Sequence, residues 1–371
     1  MAERLTVLQV LPALEGGGVE RGTLELAAGL VAAGHRSLVM SAGGQQVSRL
    51  VGQGSEHFTW ALGRKSLFTL RHVKPLRAFL REQSVDILHV RSRMPAWVAY
   101  RAWNGMPQKQ RPHFVTTVHG LYGVNAYSAV MTRGERVIAV SRAAADYLTQ
   151  NYPKFDVAKL RLIERGIDRK VYAYNYRPPA SWLQRWYQDF PYLLEREVLL
   201  LPGRITRLKG HLDFIGLMER LVRKGKPVYG LIAGGESREH QDYARELRNA
   251  IEQRKLGDYI TFLGHRLDLR DIMAVSNLVL SLSQHAESFG RTVREALSLG
   301  VPVAAYDEGG VRESLIRAFP AGRVPPRDAD ALERTATRIL EQRPQVAPCD
   351  FPSIQDMIDQ TLAVYRKLVA G

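Results

Sequence analysis

Glu287 and Glu295 stand eight positions apart in the run E-S-F-G-R-T-V-R-E-A at 287–296, with Phe289-Gly290 between them. Ala296-Leu297-Ser298-Leu299-Gly300 continues a helical pattern, which predicts that the second carboxylate sits on a helix starting near Gly290. A helix N-terminus offers unpaired N–H groups and partial positive charge to a phosphate. A phosphate there, with a carboxylate one turn further on, would suit a phosphorylated polyol such as a nucleotide-linked sugar. The spacing alone fits an ordinary surface helix with two glutamates equally well, so the flanking residues must decide.

Upstream, 198–203 read V-L-L-L-P-G, a short apolar run of the kind that parallel sheets bury, and Arg204, Arg207, Lys209 and Gly210 follow it. Cations past the carboxyl end of a buried strand occupy the place where open α/β sheets bind ligands. The strand-then-glycine pattern recurs at 227–235 and 259–264, and further apolar runs stand at 277–282 and 301–310. In the first half, strands are expected at 5–11, 84–90, 113–118, 136–141 and 160–164. The first leads into Gly16-Gly17-Gly18 and then a helical pattern through Leu24, Leu26, Ala27 and Leu30. Glycine lets backbone approach a ligand closely, so strand, glycine turn and helix make a phosphate-approach geometry. The loop lacks the G-x-G-x-x-G fingerprint of dinucleotide folds. Strands alternating with helical stretches predict an α/β protein built on parallel sheets.

The order G-R-I-T-R-L-K-G-H, L-I-A-G-G, F-L-G-H, E-S-F-G-R-T-V-R-E-A-L-S-L-G-V-P-V and G-G-V-R-E resembles the GT4-type retaining GT-B glycosyltransferases (glycosyl transferase group 1), over nearly the whole chain. The resemblance implies two Rossmann-like parallel-sheet domains facing a central cleft, with a C-terminal helix crossing back to the first domain. It implies that Glu295 binds the ribose hydroxyls of a nucleotide-sugar donor and that Glu287 contacts the transferred sugar. The backbone of Ser288, Phe289 and Gly290 would hold that sugar, and His265 and Arg266 would lie near the base. His119, in T-V-H-G at a strand end, stands where the family has a histidine facing the donor sugar; a structural hydrogen bond is the other reading. Gly17 and Gly18 would face the donor phosphate or the acceptor. The family often has a histidine pair near His89, and here Arg91 replaces the second histidine. The stretch R-S-R-M-P-A-W-V-A-Y is similar to a subgroup that includes bacterial lipopolysaccharide-core sugar transferases, which implies acceptor contacts for Arg91 and Arg93.

A chain of 371 residues exceeds one ordinary core and should divide. The expected division is an acceptor-binding domain at 1–172, a linker at 173–196, a donor domain at 197–352 and a C-terminal helix at 353–371. The linker assignment rests on the aromatic-rich run from Tyr172 to Pro191 with Pro178-Pro179 inside it. Trp182 and Trp186 there either pack against a domain or form an apolar rim. The single cysteine, Cys349, allows no internal disulfide and no thiolate metal cluster, and suits a reducing compartment. No apolar run reaches the eighteen residues of a spanning helix, and the N-terminus leads straight into a strand, so neither a spanning segment nor a leader is expected.

Residues 1–175 hold 24 Lys and Arg against 12 Asp and Glu, and the remainder 28 against 25, so most of the net charge of +15 lies in the first half. Eleven cations from Arg64 to Arg111 face only Glu82 and Asp86. Such a field is either a solvated basic face or a surface for an anionic membrane or phosphorylated acceptor. A helix over 67–80, with Leu67, Leu70, Val73, Leu76, Phe79 and Leu80 on one side, either lies at that interface or packs those residues into the core. No nucleic-acid module is present, and nucleic acid is not an expected partner.

Breaking a sugar–phosphate bond makes an oxocarbenium-like sugar and a diphosphate leaving group, which a metal or fixed cations must neutralise. No D-x-D stands at a strand end, so Arg204 and Lys209 are assigned to the diphosphate and no metal or other cofactor is expected. The expected enzyme transfers a sugar from a UDP- or GDP-linked donor to a glycolipid or oligosaccharide acceptor, lipopolysaccharide core foremost. It would be cytoplasmic and peripheral at the inner face of the membrane. A soluble transferase for a small phosphorylated or sugar acceptor, and a non-catalytic sugar-nucleotide binder, are the alternatives.

Overall fold

The computed structural model describes residues 4–236 and 241–371. The chain divides into two compact units: one runs to Gly166 and takes in Pro352–Gly371, and the other is Ile167–Phe351.

The first unit alternates strand and helix: β1 Thr6–Val10, α1 Gly18–Ala32, β2 Arg36–Ser41, α2 Val47–Gly52, β3 Glu56–Thr59, α3 Val73–Glu82, β4 Ile87–Val90, α4 Arg93–Asn104, β5 His113–Val118, β6 Arg136–Ala139, α5 Arg142–Asn151 and β7 Leu160–Leu162. The second continues with α6 Ala180–Asp189, β8 Glu197–Pro202, α7 His211–Arg223, β9 Val228–Ala233, α8 Gln241–Gln253, β10 Ile260–Gly264, α9 Leu269–Ala274, β11 Leu278–Ser281, α10 Arg291–Leu299, β12 Val303–Tyr306, α11 Gly309–Ala318, β13 Arg323–Val324 and α12 Ala329–Gln342; α13, Ile354–Val369, belongs to the first unit. The sheets run in the orders β3-β2-β1-β4-β5-β6-β7 and β10-β9-β8-β11-β12-β13, and neighbouring strands pair in parallel throughout, beginning with β1 against β2 and β4. Parallel strands with helices on both faces are buried along their whole length and mostly apolar, as I-L-H-V of β4 and L-V-L-S of β11 show. Strand order reverses between β1 and β4 in one sheet and between β8 and β11 in the other. Open α/β sheets bind ligands at such switch points, beyond the carboxyl ends of the strands.

The C-terminal helix returns to the first unit as expected. Met357, Ile358, Leu362, Tyr365 and Leu368 share an apolar cluster with Leu26 and Leu30 of α1 and Ile87 of β4. Ser353 and Asp356 form a reciprocal capping box at its start.

Two expectations need correction. Residues 173–196 are no free linker: they lie within the second unit and contain α6. Trp186 is buried in that unit's core and stacks on Trp182, whose Nε1 donates to Asp268 at 2.8 Å. Burial of large aromatic surface outweighs the chain-breaking prolines, which only set where α6 begins. The helix expected over 67–80 breaks at Val73: Leu67–His72 form a 3₁₀ turn, and α3 starts after it with Pro75 in its first turn, where a missing N–H costs nothing. Leu76, Phe79 and Leu80 are buried, so α3 follows the core-packed reading of that face. Leu67 and Phe68 instead stand 86% and 78% exposed. Among the described residues no helix is long and apolar enough to cross a membrane.

Candidate functional site

In the second unit the segments leaving β8 and β11 meet at the switch point. Past β8 the chain makes a 3₁₀ turn, Arg207–Lys209, and enters α7. Lys209 Nζ donates to Glu287 Oε1 at 2.5 Å, and Ser283 Oγ donates to the same oxygen. Burial alone would push the Glu287 carboxyl up, but the Lys209 ammonium and the Ser283 hydroxyl outweigh it and hold the group below the usual carboxylate range. Arg204 is exposed just after β8. Arg207 turns away to Glu246 and lies over Tyr243.

Gly290, with φ at +72°, caps the start of α10, where the sequence predicts it. A β-carbon there would stand 2.6 Å from Val311 Cγ2, so the site requires glycine for both space and backbone conformation. Phe289 is buried, its ring 4.3 Å from the guanidinium of Arg294, and Ser288 beside it is only half-buried. Glu295 lies on α10 and is 3% exposed. A second helix start reaches the same loop: Gly310 N–H of α11 donates to Glu287 O at 2.8 Å. Asp213, in the first turn of α7, accepts from Gln284 Nε2 at 2.7 Å and from Tyr306 Oη at 2.5 Å, which ties α7 to this loop and to β12. Glu287, Lys209 and the 288–290 backbone are therefore brought together. Arg266 is not directed at them: its guanidinium forms a two-pronged pair with Asp268 at 2.8 and 2.7 Å and stacks on Trp186. Among the described residues, no group of three or more His, Cys, Asp and Glu converges to hold a metal ion.

In the first unit, Gly17 caps α1 and Gly18 is its first residue, at the end of the loop that follows β1. His119 follows β5, half-buried. His89 is closed in between Tyr365 Oη and Thr117 Oγ1, each at 2.6 Å, and burial holds its imidazole well below its ordinary value. It is a structural histidine. Arg91 is 4% exposed; burial brings its guanidinium down to about 10, and Nη1 donates to Gln9 Oε1 at 2.8 Å. Arg93 lies over the rings of Tyr122 and Tyr127, at 4.5 and 5.3 Å.

Sequence reasoning missed Arg165. Its guanidinium donates to Gly18 O, and a β-carbon at Gly22 would overlap Arg165 Nη2 and stand 3.3 Å from Arg91 Nη2. Two buried guanidiniums thus converge on Gly22, beside a cavity of about 20 Å³ that His89, Thr117 and His119 also line. That is room for about one water. No local pattern marks Arg165, because its partner lies 147 residues earlier in the chain.

Two family profiles match the chain, Glycosyltransferase Family 4 over residues 16–171 and Glycosyl transferases group 1 over 185–350. A solved glycosyltransferase from Rickettsia africae superposes with a TM-score of 0.86 at 28% identity, over 99% of both chains. Two characterised relatives match part of the chain. The 2-deoxystreptamine N-acetyl-D-glucosaminyltransferase of Streptomyces fradiae is 32% identical over 187 residues, 47% of this chain and 43% of that protein. The lipopolysaccharide core biosynthesis mannosyltransferase of Rhizobium meliloti is 28% identical over 148 residues, 39% of this chain and 42% of that one. The chain thus spans less than half the length of either.

Proposed function

The chain belongs to the group 1, family 4 glycosyltransferases, and from that premise we propose that it moves a sugar from a UDP- or GDP-linked donor to a cell-surface glycan, lipopolysaccharide core in particular. The observation that carries the donor half is the Lys209–Glu287 pair at the β8/β11 switch point, with two helix starts on the same loop. The acceptor half is supported by the Arg91–Arg93 segment, by the basic first half of the chain and by the likeness to a lipopolysaccharide-core transferase. The enzyme would work in the cytoplasm, peripherally on the inner membrane face.

In this reading Lys209 and Arg204 neutralise the diphosphate, with N–H groups at the starts of α10 and α11, so no metal takes part. Lys209 also keeps Glu287 ionised to accept hydrogen bonds from the sugar hydroxyls. Glu295 holds the ribose, the Ser288–Gly290 backbone the sugar, and Arg266 closes the base end through its pair with Asp268. His119 and the Gly17–Gly18 turn act on the sugar and its phosphate, and Arg91 and Arg93 serve the acceptor. The sugar C1–O bond to phosphate breaks while a C1–O bond to the acceptor forms on the same face, and the acceptor proton passes to the departing phosphate oxygen. Configuration is retained without a covalent intermediate.

A thermal-shift panel of UDP-, GDP-, ADP- and CMP-linked sugars tests the donor. A ligand at 100 times its dissociation constant adds about 2.7 kcal/mol of stability. One UDP- or GDP-sugar should stand out, Glu295→Gln should weaken the bare diphosphate as well, and Glu287→Gln only the sugar-bearing form. A flat panel would overturn the reading.

A further inference from the structure

We infer that an apolar cavity in the first unit takes the hydrocarbon chain of an anionic lipid acceptor. The inference rests on the transferase reading above and specifies its acceptor. The cavity has a volume of about 310 Å³, within the range of about 300–1,000 Å³ usual for small-molecule sites. Leu67, Leu70, Met94 and Trp97 wall it, Lys65 and Arg101 line it as well, and no carboxylate does.

The walls are held in place. Trp97 Nε1 donates to Tyr127 O at 2.9 Å, and Tyr127 is itself a wall. Phe68 N–H donates to Ser66 Oγ at 3.2 Å and Thr69 Oγ1 to Arg64 O at 2.8 Å, which fix the turn carrying Leu67. An apolar hole bounded by fixed side chains gains by admitting hydrocarbon.

Charge selects the head group. The Lys65 ammonium lies 5.1 Å and the Arg93 guanidinium 5.3 Å from the centre of the Tyr127 ring, so two cations stand beside the cavity. A phosphate or carboxylate on the first carbons of a bound chain would meet them. The placement identifies the occupant as an acceptor. The Leu67 turn follows β3, Met94 and Trp97 lie early in α4 after β4, and Tyr127 follows β5. All of them leave the carboxyl ends of strands, the end of the sheet that also carries Gly17, Gly18 and His119.

Calorimetry with octyl, decyl and dodecyl phosphate, below their critical micelle concentrations, tests the inference. Affinity should rise roughly four-fold per added methylene, the factor that burial of one CH₂ gives, until the cavity is full. Inorganic phosphate and decyl maltoside should bind at least ten-fold more weakly than decyl phosphate. Leu70→Trp, which fills the cavity, should abolish alkyl phosphate binding while the donor-induced thermal shift persists. Lys65→Gln, at an exposed site, should weaken decyl phosphate but not decyl maltoside. Phe68→Ser, which lies outside the cavity, should leave both unchanged. Binding without chain-length dependence, binding untouched by Leu70→Trp, or equal binding of phosphate and maltoside would overturn the inference. A normal donor shift with no alkyl phosphate binding would overturn it alone; no donor shift would overturn the transferase reading instead.

Discussion

Lys209 and Glu287 are each legible in the sequence as charged residues beside apolar strands, but their pairing is not, because 78 residues separate them. Lys209→Ala should reduce transfer by about 10²–10³-fold, the usual cost of removing one donor from a developing anion. It should also leave Glu287 buried without its cation, so that burial lifts its carboxyl above the usual range. A raised carboxyl costs stability when ionised, so the deficit of the variant in thermal melts should be larger at pH 7 than at pH 4. A deficit independent of pH would show that Lys209 does not govern Glu287. His211, at the start of α7, has no exposed surface, and burial first of all brings it to about 4. Its folded value lies below the unfolded value, so it supports the fold above about pH 6.5 and withdraws that support as pH falls towards 4. Stability in urea should fall by up to about 3 kcal/mol over that window, and His211→Asn should flatten the change. His89, beside the position where Arg91 replaces the family's second histidine, is held as a structural group. Its two hydrogen bonds leave no ring nitrogen for a ligand.

At the level of elements, alternating strands and glycine turns were legible where a strand gives a long apolar run, as V-L-L-L in β8 and L-V-L in β11 do. Strands β2, β3 and β13 were not anticipated. The first gives only a short apolar run, L-V-M; E-H-F-T is an edge strand with no fully buried residue; and R-V is two residues long. Register, sheet order and the break at Val73 depend on partners elsewhere in the chain, so local pattern could not supply them. The start of α10 was legible because Gly290 announces it chemically. Gly290→Ala should cost stability on two counts, the left-handed backbone and the 2.6 Å approach to Val311, about 1–3 kcal/mol together. Because α10 and α11 meet at this point, the donor-induced thermal shift should shrink as well. A variant of wild-type stability and donor response would mean that the helix starts do not bind the phosphates.

Over the whole molecule, the excess of cations in residues 1–175 is the property that composition predicts best and pairing explains least. Within the basic 64–111 stretch Arg77 has a packing role: Nε and Nη2 donate to Ala102 O and Arg101 O, each at 3.1 Å, so it closes the C-terminal end of α4. A test of the basic face must spare it. Replacing Arg71, Lys74 and Arg81 with Gln should weaken sedimentation with anionic vesicles, and the wild-type binding should fall steeply with salt, since exposed charges are screened beyond about 8–10 Å. Donor binding should be unchanged. Equal binding to anionic and neutral vesicles at every salt concentration would reduce the basic face to a solubility feature. The helix α13 also sets an order in time. Residues 167–351 have all their own core residues once Phe351 has been made, whereas the cluster under α1 waits for Met357, Leu362 and Tyr365. Domains usually finish in the order in which the ribosome delivers them. Here the unit synthesised first is the last that can close, and until then Leu26, Leu30 and Ile87 remain uncovered for any chaperone to find.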